Sequence, residues 1–251
     1  MSDQIIDLFV TQSPTQSLDT GEGYFPEAPG VTLADGTILF TWRDDATQDD
    51  PAGTGNFDPF LSFQNSTDEK GANFYNGATH GTGDAIIAAD NRTSLLKTEV
   101  VPVITVDGIE YYEFRLDVNE TGGQKSLLSL ESFKIFGSNS ATETGDGLDP
   151  LYSIDANGIN TTINIWDDNS GSGRSDVVML IPKSYFTSDP EYLYFEAKLS
   201  GTDAGFEEFS VYVLQQVDTP LVSITKDADV FNANATDDGV LTFKCPCLAY
   251  I

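Results

Sequence analysis

The sequence predicts an all-β protein, a jelly-roll-like β-sandwich with long irregular loops. Three observations predict it. Segments alternating between apolar and polar residues recur along the chain, β-branched and aromatic residues concentrate in them, and Gly, Asn, Asp and Ser clusters separate them. Many strands with turn signals between them, and scant helical periodicity, leave two packed sheets as the arrangement that buries one face of each.

The first hairpin is Val31-Thr32-Leu33 against Gly36–Trp42, turned at Ala34-Asp35-Gly36, where Asp-Gly is a strong hairpin signal. The clearest one runs through Val100–Val106, the Asp107-Gly108 turn and Ile109–Val118. In its second arm Tyr112, Phe114, Leu116 and Val118 share one face, while Glu113, Arg115 and Asp117 share the other, so one side is expected to be wet. Further strands are expected at Ser132–Phe136, Thr161–Trp166, Asp176–Ile181, Tyr192–Leu199 and Glu208–Leu214. Asp84–Ala89 and Ser126–Leu130 read as a helical turn or two. Residues 43–82, polar and rich in Gly, Asn and Asp, read as an ordered surface excursion pinned by Phe57, Phe60, Phe63, Phe74 and Tyr75. The pattern breaks at Thr219-Pro220. This gives a sandwich domain over 1–220 and a strand-like extension over 221–251, too short to fold alone and available for donation to a neighbour.

Composition narrows the partners. Forty acidic residues against 12 basic ones give a formal net charge of −28, which repels phosphate backbones and anionic lipid; neither nucleic acid nor a membrane surface is expected as a partner. No apolar run approaches the ~20 residues of a membrane-spanning helix, so no membrane insertion is expected. The start, Met1-Ser2-Asp3-Gln4, lacks a basic, apolar leader, so export implies either prior removal of a signal peptide or a route without one. The two cysteines, Cys245 and Cys247, flank Pro246, too close for a mutual disulfide and too few for a zinc site.

Carboxylates at this density are hydrated, screened or neutralised by cations, and calcium is the hard cation that prefers oxygen ligands. One candidate is the loop Asp167–Asp176, where Asp167, Asn169 and Asp176 supply side-chain oxygens and Gly171 and Gly173 free the backbone. It is not an EF-hand loop, because Val178 stands where the twelfth-position Glu belongs. A plain Gly/Ser turn explains the same residues. The second candidate is Asp117, Asn119 and Glu120 with Asp203 and Glu207-Glu208 from a later segment. Catalysis has little support: His80 is the single histidine and no Gly-x-Ser-x-Gly elbow accompanies it, so no enzymatic role is expected. Trp42 and Trp166 suit either a sugar-stacking platform or the core. Asn-x-Ser/Thr sequons begin at Asn65, Asn91, Asn119, Asn160 and Asn234 and mark surface loops.

Residues 95–213 resemble a module of bacterial exported, surface-anchored, adhesin-like proteins. The resemblance rests on Ile109–Glu120 with Leu127–Ile135, on Gly171–Val177 with Ile181–Phe186, and on Tyr192–Phe195 with Asp203–Phe209. Val222–Val230 resembles the opening strand of an Ig-like repeat domain, from which Phe243–Cys247 departs. The resemblance implies an extracellular β module and brings no catalytic residues. The function expected is therefore that of an extracellular or cell-surface structural or adhesive protein. It would be calcium-stabilised and assemble with itself, by exchange of Ile5–Val10 or Leu221–Val230, into a filament or array, or bind a surface glycan or protein. The alternatives are a carbohydrate-binding module displaying Trp166 or Tyr194 and, with less support, a secreted hydrolase.

Overall fold

In the computed structural model, Met1–Leu214 form one compact unit. The structure describes residues 2–8, 30–41, 59–65, 68–85, 92–119, 127–155, 158–167, 175–202 and 205–211. Fifteen strands run through them: β1 (Ser2–Asp7), β2 (Gly30–Thr32), β3 (Ile38–Thr41), β4 (Pro59–Phe63), β5 (Glu69–Tyr75), β6 (His80–Gly83), β7 (Leu96–Lys97), β8 (Val103–Val106), β9 (Ile109–Asn119), β10 (Leu127–Ser138), β11 (Tyr152–Ser153), β12 (Ile159–Trp166), β13 (Val177–Pro182), β14 (Tyr192–Ser200) and β15 (Phe206–Ser210).

They form two sheets. The first has the order β1-β12-β10-β14-β5-β6, with β11 beside β10 and β7 beside β14; the second has the order β2-β3-β13-β9-β15-β4, with β8 beside β9. Eight of these strands have jelly-roll connectivity: β4-β15-β9-β13 in one sheet face β5-β14-β10-β12 in the other. Through these eight the chain crosses between sheets from β4 to β5, β5 to β9, β9 to β10, β12 to β13, β13 to β14 and β14 to β15. The expected sandwich is thus what forms. Every strand pair is antiparallel except β1 with β12.

Between the sheets lies the main core. Phe60 and Phe195 rings sit 4.1 Å apart and Phe133 stacks on Phe209 at 5.2 Å. Leu116, Ile163, Val177 and Leu199 fill the rest. The β8–β9 hairpin turns on Asp107 (φ 50°) and Gly108 (φ 79°), the paired positive φ of a two-residue turn that matches strand twist.

Four expectations need correction. Within the excursion expected over 43–82, the described part from 59 onward holds β4, β5 and β6, and Phe60, Phe63 and Phe74 are buried. All five residues of Pro-Phe-Leu-Ser-Phe are buried, so the strand lacks the one-sided alternation that marks a half-wet strand. Leu127–Leu130 begin β10 rather than a helical turn, with Leu128 and Leu130 facing the core. Val100 ends a short 3-10 turn, Thr98–Val100, instead of starting a strand. The side of β9 expected to be wet is buried: Glu113, Arg115 and Asp117 are at most 2% exposed.

Both sheets also carry buried side chains on their outer faces. Ile38, Phe40, Val106, Tyr111, Val178 and Leu180 form a buried cluster on the outer face of the second sheet. On the first sheet, Ala72, Phe74, Phe136 and Tyr194 form another, which the 139–151 segment caps. Tyr194 there donates its hydroxyl proton to the Ser140 carbonyl (2.6 Å). Among the described residues no helix is long and apolar enough to cross a membrane.

Candidate functional site

The chemistry concentrates on β9 and its two neighbours. Alternation sends Glu113, Arg115 and Asp117 to the outer face of the second sheet, where register sets Asp117 opposite Glu208 of β15 and Arg115 opposite Val178 and Ser210. Arg115 Nε donates to Glu113 Oε1 at 2.7 Å, with both side chains 3% exposed. A buried pair of this kind is held in place because losing either partner strands the other charge. At the far end Glu208 Oε1 accepts from Arg92 Nη1 (3.0 Å) and Ser62 Oγ (3.4 Å), and the Arg92 guanidinium lies over the Phe206 ring at 4.4 Å. Burial pushes the Glu208 carboxyl above its ordinary range, against the opposing pull of Arg92 and Ser62.

Asp176, at the start of β13, completes this row. Its Oδ2 accepts from the Val118 amide (2.8 Å) while its own amide donates to the Leu116 carbonyl (2.8 Å). Asp176 therefore fastens β13 to β9 where their ladder ends. Asp176, just before β13, and Glu208 of β15 thus flank Asp117 of β9 on its two sides, although their segments lie about 60 and 90 residues from it.

Not all the residues singled out as calcium ligands join this row. Glu207 opposes Val118 and Phe63, both core residues, so its side chain enters the space between the sheets, away from Asp117. Asn119 lies opposite Phe206 at the end of β9, and Asp167 follows β12 half-buried. Asn169, Glu120 and Asp203 lie outside the described residues, as do Trp42, Phe57, Cys245, Cys247 and Leu221–Val230. Among the described residues, no three His, Cys, Asp or Glu side chains converge into a set that could hold a metal ion.

Sequence reading missed Glu69. It opens β5 opposite Leu199, so it too points between the sheets, where it meets the Glu207 carboxyl. Both residues are 0% exposed. Burial raises the Glu69 pKa most; the hydrogen bond to Glu207 and the donated Asn65 amide lower it, and Asp84 raises it further. Burial of two neighbouring carboxyls in a dry interior disfavours charging both. The only hint in the sequence was an acid at a position alternating with Gly71 and Asn73, both inward-facing.

His80 sits at the start of β6 with Nδ1 3.0 Å from the Asn73 carbonyl and its ring beside Tyr75 and Tyr194, a packing role. Tyr194 is fully buried, so it is not part of an exposed aromatic platform; Trp166 is half-buried.

The remaining feature is the sheet edge at β1. Ile5–Leu8, the described part of the segment expected to be donated, instead belong with β12 of the same chain: β1 pairs with it from Ser2 against Ile159 through Asp7 against Asn164, while Phe9 and Val10 lie outside the described residues. The Leu8 amide continues that ladder to the Asn164 carbonyl (3.1 Å). Leu8, Ile6 and Gln4 therefore turn their main-chain groups toward β12, and those of Asp3, Ile5 and Asp7 face away from it. On the outer face Asn160 Nδ2 donates to Asp3 Oδ1 (3.3 Å), Asn164 Nδ2 donates to Asp7 Oδ1 (2.7 Å), and Ile5 is 65% exposed.

No protein-family model, curated protein or solved structure matches this chain.

Proposed function

We propose that this protein is an extracellular or cell-surface structural module that assembles through its sheet edges and is stabilised by calcium. The observation that carries the reading is β1. It is an edge strand of the first sheet with a neighbour on one side among the described residues, and an exposed isoleucine stands at its centre. Unpaired strand edges are templates for another strand, and main-chain hydrogen bonds supply the affinity when one arrives. The jelly roll itself is neutral, since this architecture hosts many functions.

The charge balance supports the cation. A surface at −28 opposes close approach of two copies unless salt or a divalent ion neutralises it. The resemblance of residues 95–213 to exported surface modules points the same way. Sedimentation velocity and thermal unfolding, each run with calcium and with chelator, test the reading together. Assembly and a raised melting temperature in calcium are expected, the second by linkage to ion binding in the native state. A monomer with the same melting temperature in both buffers would remove the proposal and leave a ligand-binding module as the better account.

A further inference from the structure

We infer that β1 pairs with β1 of a second copy, antiparallel and centred on Ile5, with a divalent cation bridging Asp3 of each copy to Asp7 of the other. The inference rests on the edge-assembly reading and specifies its contact.

The outward pattern of this strand is a palindrome. Asp3, Ile5 and Asp7 share one face, and the same residues direct their amide and carbonyl groups to the edge that no other described strand pairs with. A two-fold axis through Ile5 therefore places Ile5 opposite its own copy and each Asp3 opposite an Asp7. All three facing pairs are of the kind that exchanges both main-chain hydrogen bonds. An isologous contact needs such self-complementarity, and it closes on two copies rather than propagating. The central contact removes two exposed isoleucines from water, and Ile5 is the most exposed of the large apolar residues described.

The flanking pairs are acid against acid. Directly opposed residues in an antiparallel ladder have Cβ atoms about 5 Å apart, near enough for both carboxylates to reach one ion and for bare charges to repel. Asn160 and Asn164 each hold one oxygen of the aspartate beside them, which fixes the carboxylates at the edge before a partner arrives. The contact is therefore conditional: repulsive without a divalent ion, closed with it. A strand carrying cations at the two flanking positions would satisfy the same edge without calcium, but this chain has only 12 basic residues and none in β1.

Sedimentation velocity of the full chain, with millimolar calcium and with chelator, is the test. The wild type is expected to be monomeric in chelator and dimeric in calcium. Ile5→Pro removes the central outward amide and leaves the β12 ladder intact, so it should weaken the dimer at least about tenfold with an unchanged melting temperature in chelator. Ile5→Lys, on an exposed side chain, covers the case in which the proline variant folds poorly and should weaken the dimer similarly. Asp3→Asn with Asp7→Asn should dimerise in both buffers. If the wild type assembles and Ile5→Lys assembles equally well, the β1 contact is wrong while edge assembly stands. If the wild type stays monomeric throughout, both fall. A double aspartate variant that still requires calcium refutes the bridging ion.

Discussion

Replacing Glu69 with Gln tests the buried carboxyl pair. Glu69 and Glu207 meet between the sheets at 0% exposure, and burial raises the Glu69 pKa above its ordinary 4.5. A group whose pKa is raised by folding favours the native state below its unfolded pKa, and that advantage disappears as pH rises through the folded value. Wild-type stability should therefore fall on going from mildly acidic to mildly alkaline pH. Were both carboxylates charged and about 4 Å apart, their repulsion at an effective dielectric near 20 would be about 4 kcal/mol, an upper limit that protonation relieves. Gln keeps an oxygen for the Asn65 amide and removes the charge that burial disfavours. Glu69→Gln is expected to match the wild type near pH 4 and to exceed it by about 1–4 kcal/mol near pH 8. Urea unfolding across that range, in chelator, measures both. Parallel stability curves for the two proteins, or a glutamine variant less stable at the alkaline end, would refute the raised Glu69 pKa.

Two further substitutions probe how the fold is held. Arg115→Ala leaves the Glu113 carboxylate buried and should cost about 3–5 kcal/mol in chemical unfolding. Replacing Glu113 and Arg115 together with Gln and Met should recover most of that loss. Gly145→Ala should destabilise by about 1–3 kcal/mol, since Gly145 has φ +85° and an added Cβ would lie 2.8 Å from the Phe74 ring. Its melting temperature should drop, and proteolysis within 139–151 should accelerate as the segment lifts from Phe74 and Tyr194.

Local pattern alone determined where many strands lie. Tyr112, Phe114, Leu116 and Val118 alternate so regularly, and Asp107-Gly108 turns so sharply, that β8 and β9 follow from short-range sterics and the two-residue period. The two-sheet class followed as well, because one apolar face per strand has to find another. Burial on the second side of a strand was not legible, as it depends on what covers the sheet. Glu113 and Phe74 look solvent-facing or loop-bound from their neighbours, yet one is in a buried ion pair and the other lies under Gly145. The same limit hid Glu69: its partner Glu207 is 138 residues away, and only the packing of β5 over β15 brings them together. Period-2 alternation fixes which residues share a face of one strand. Which faces meet, and which charges must then be paired, protonated or bridged, is decided by long-range register and by the dry interior that tertiary packing creates.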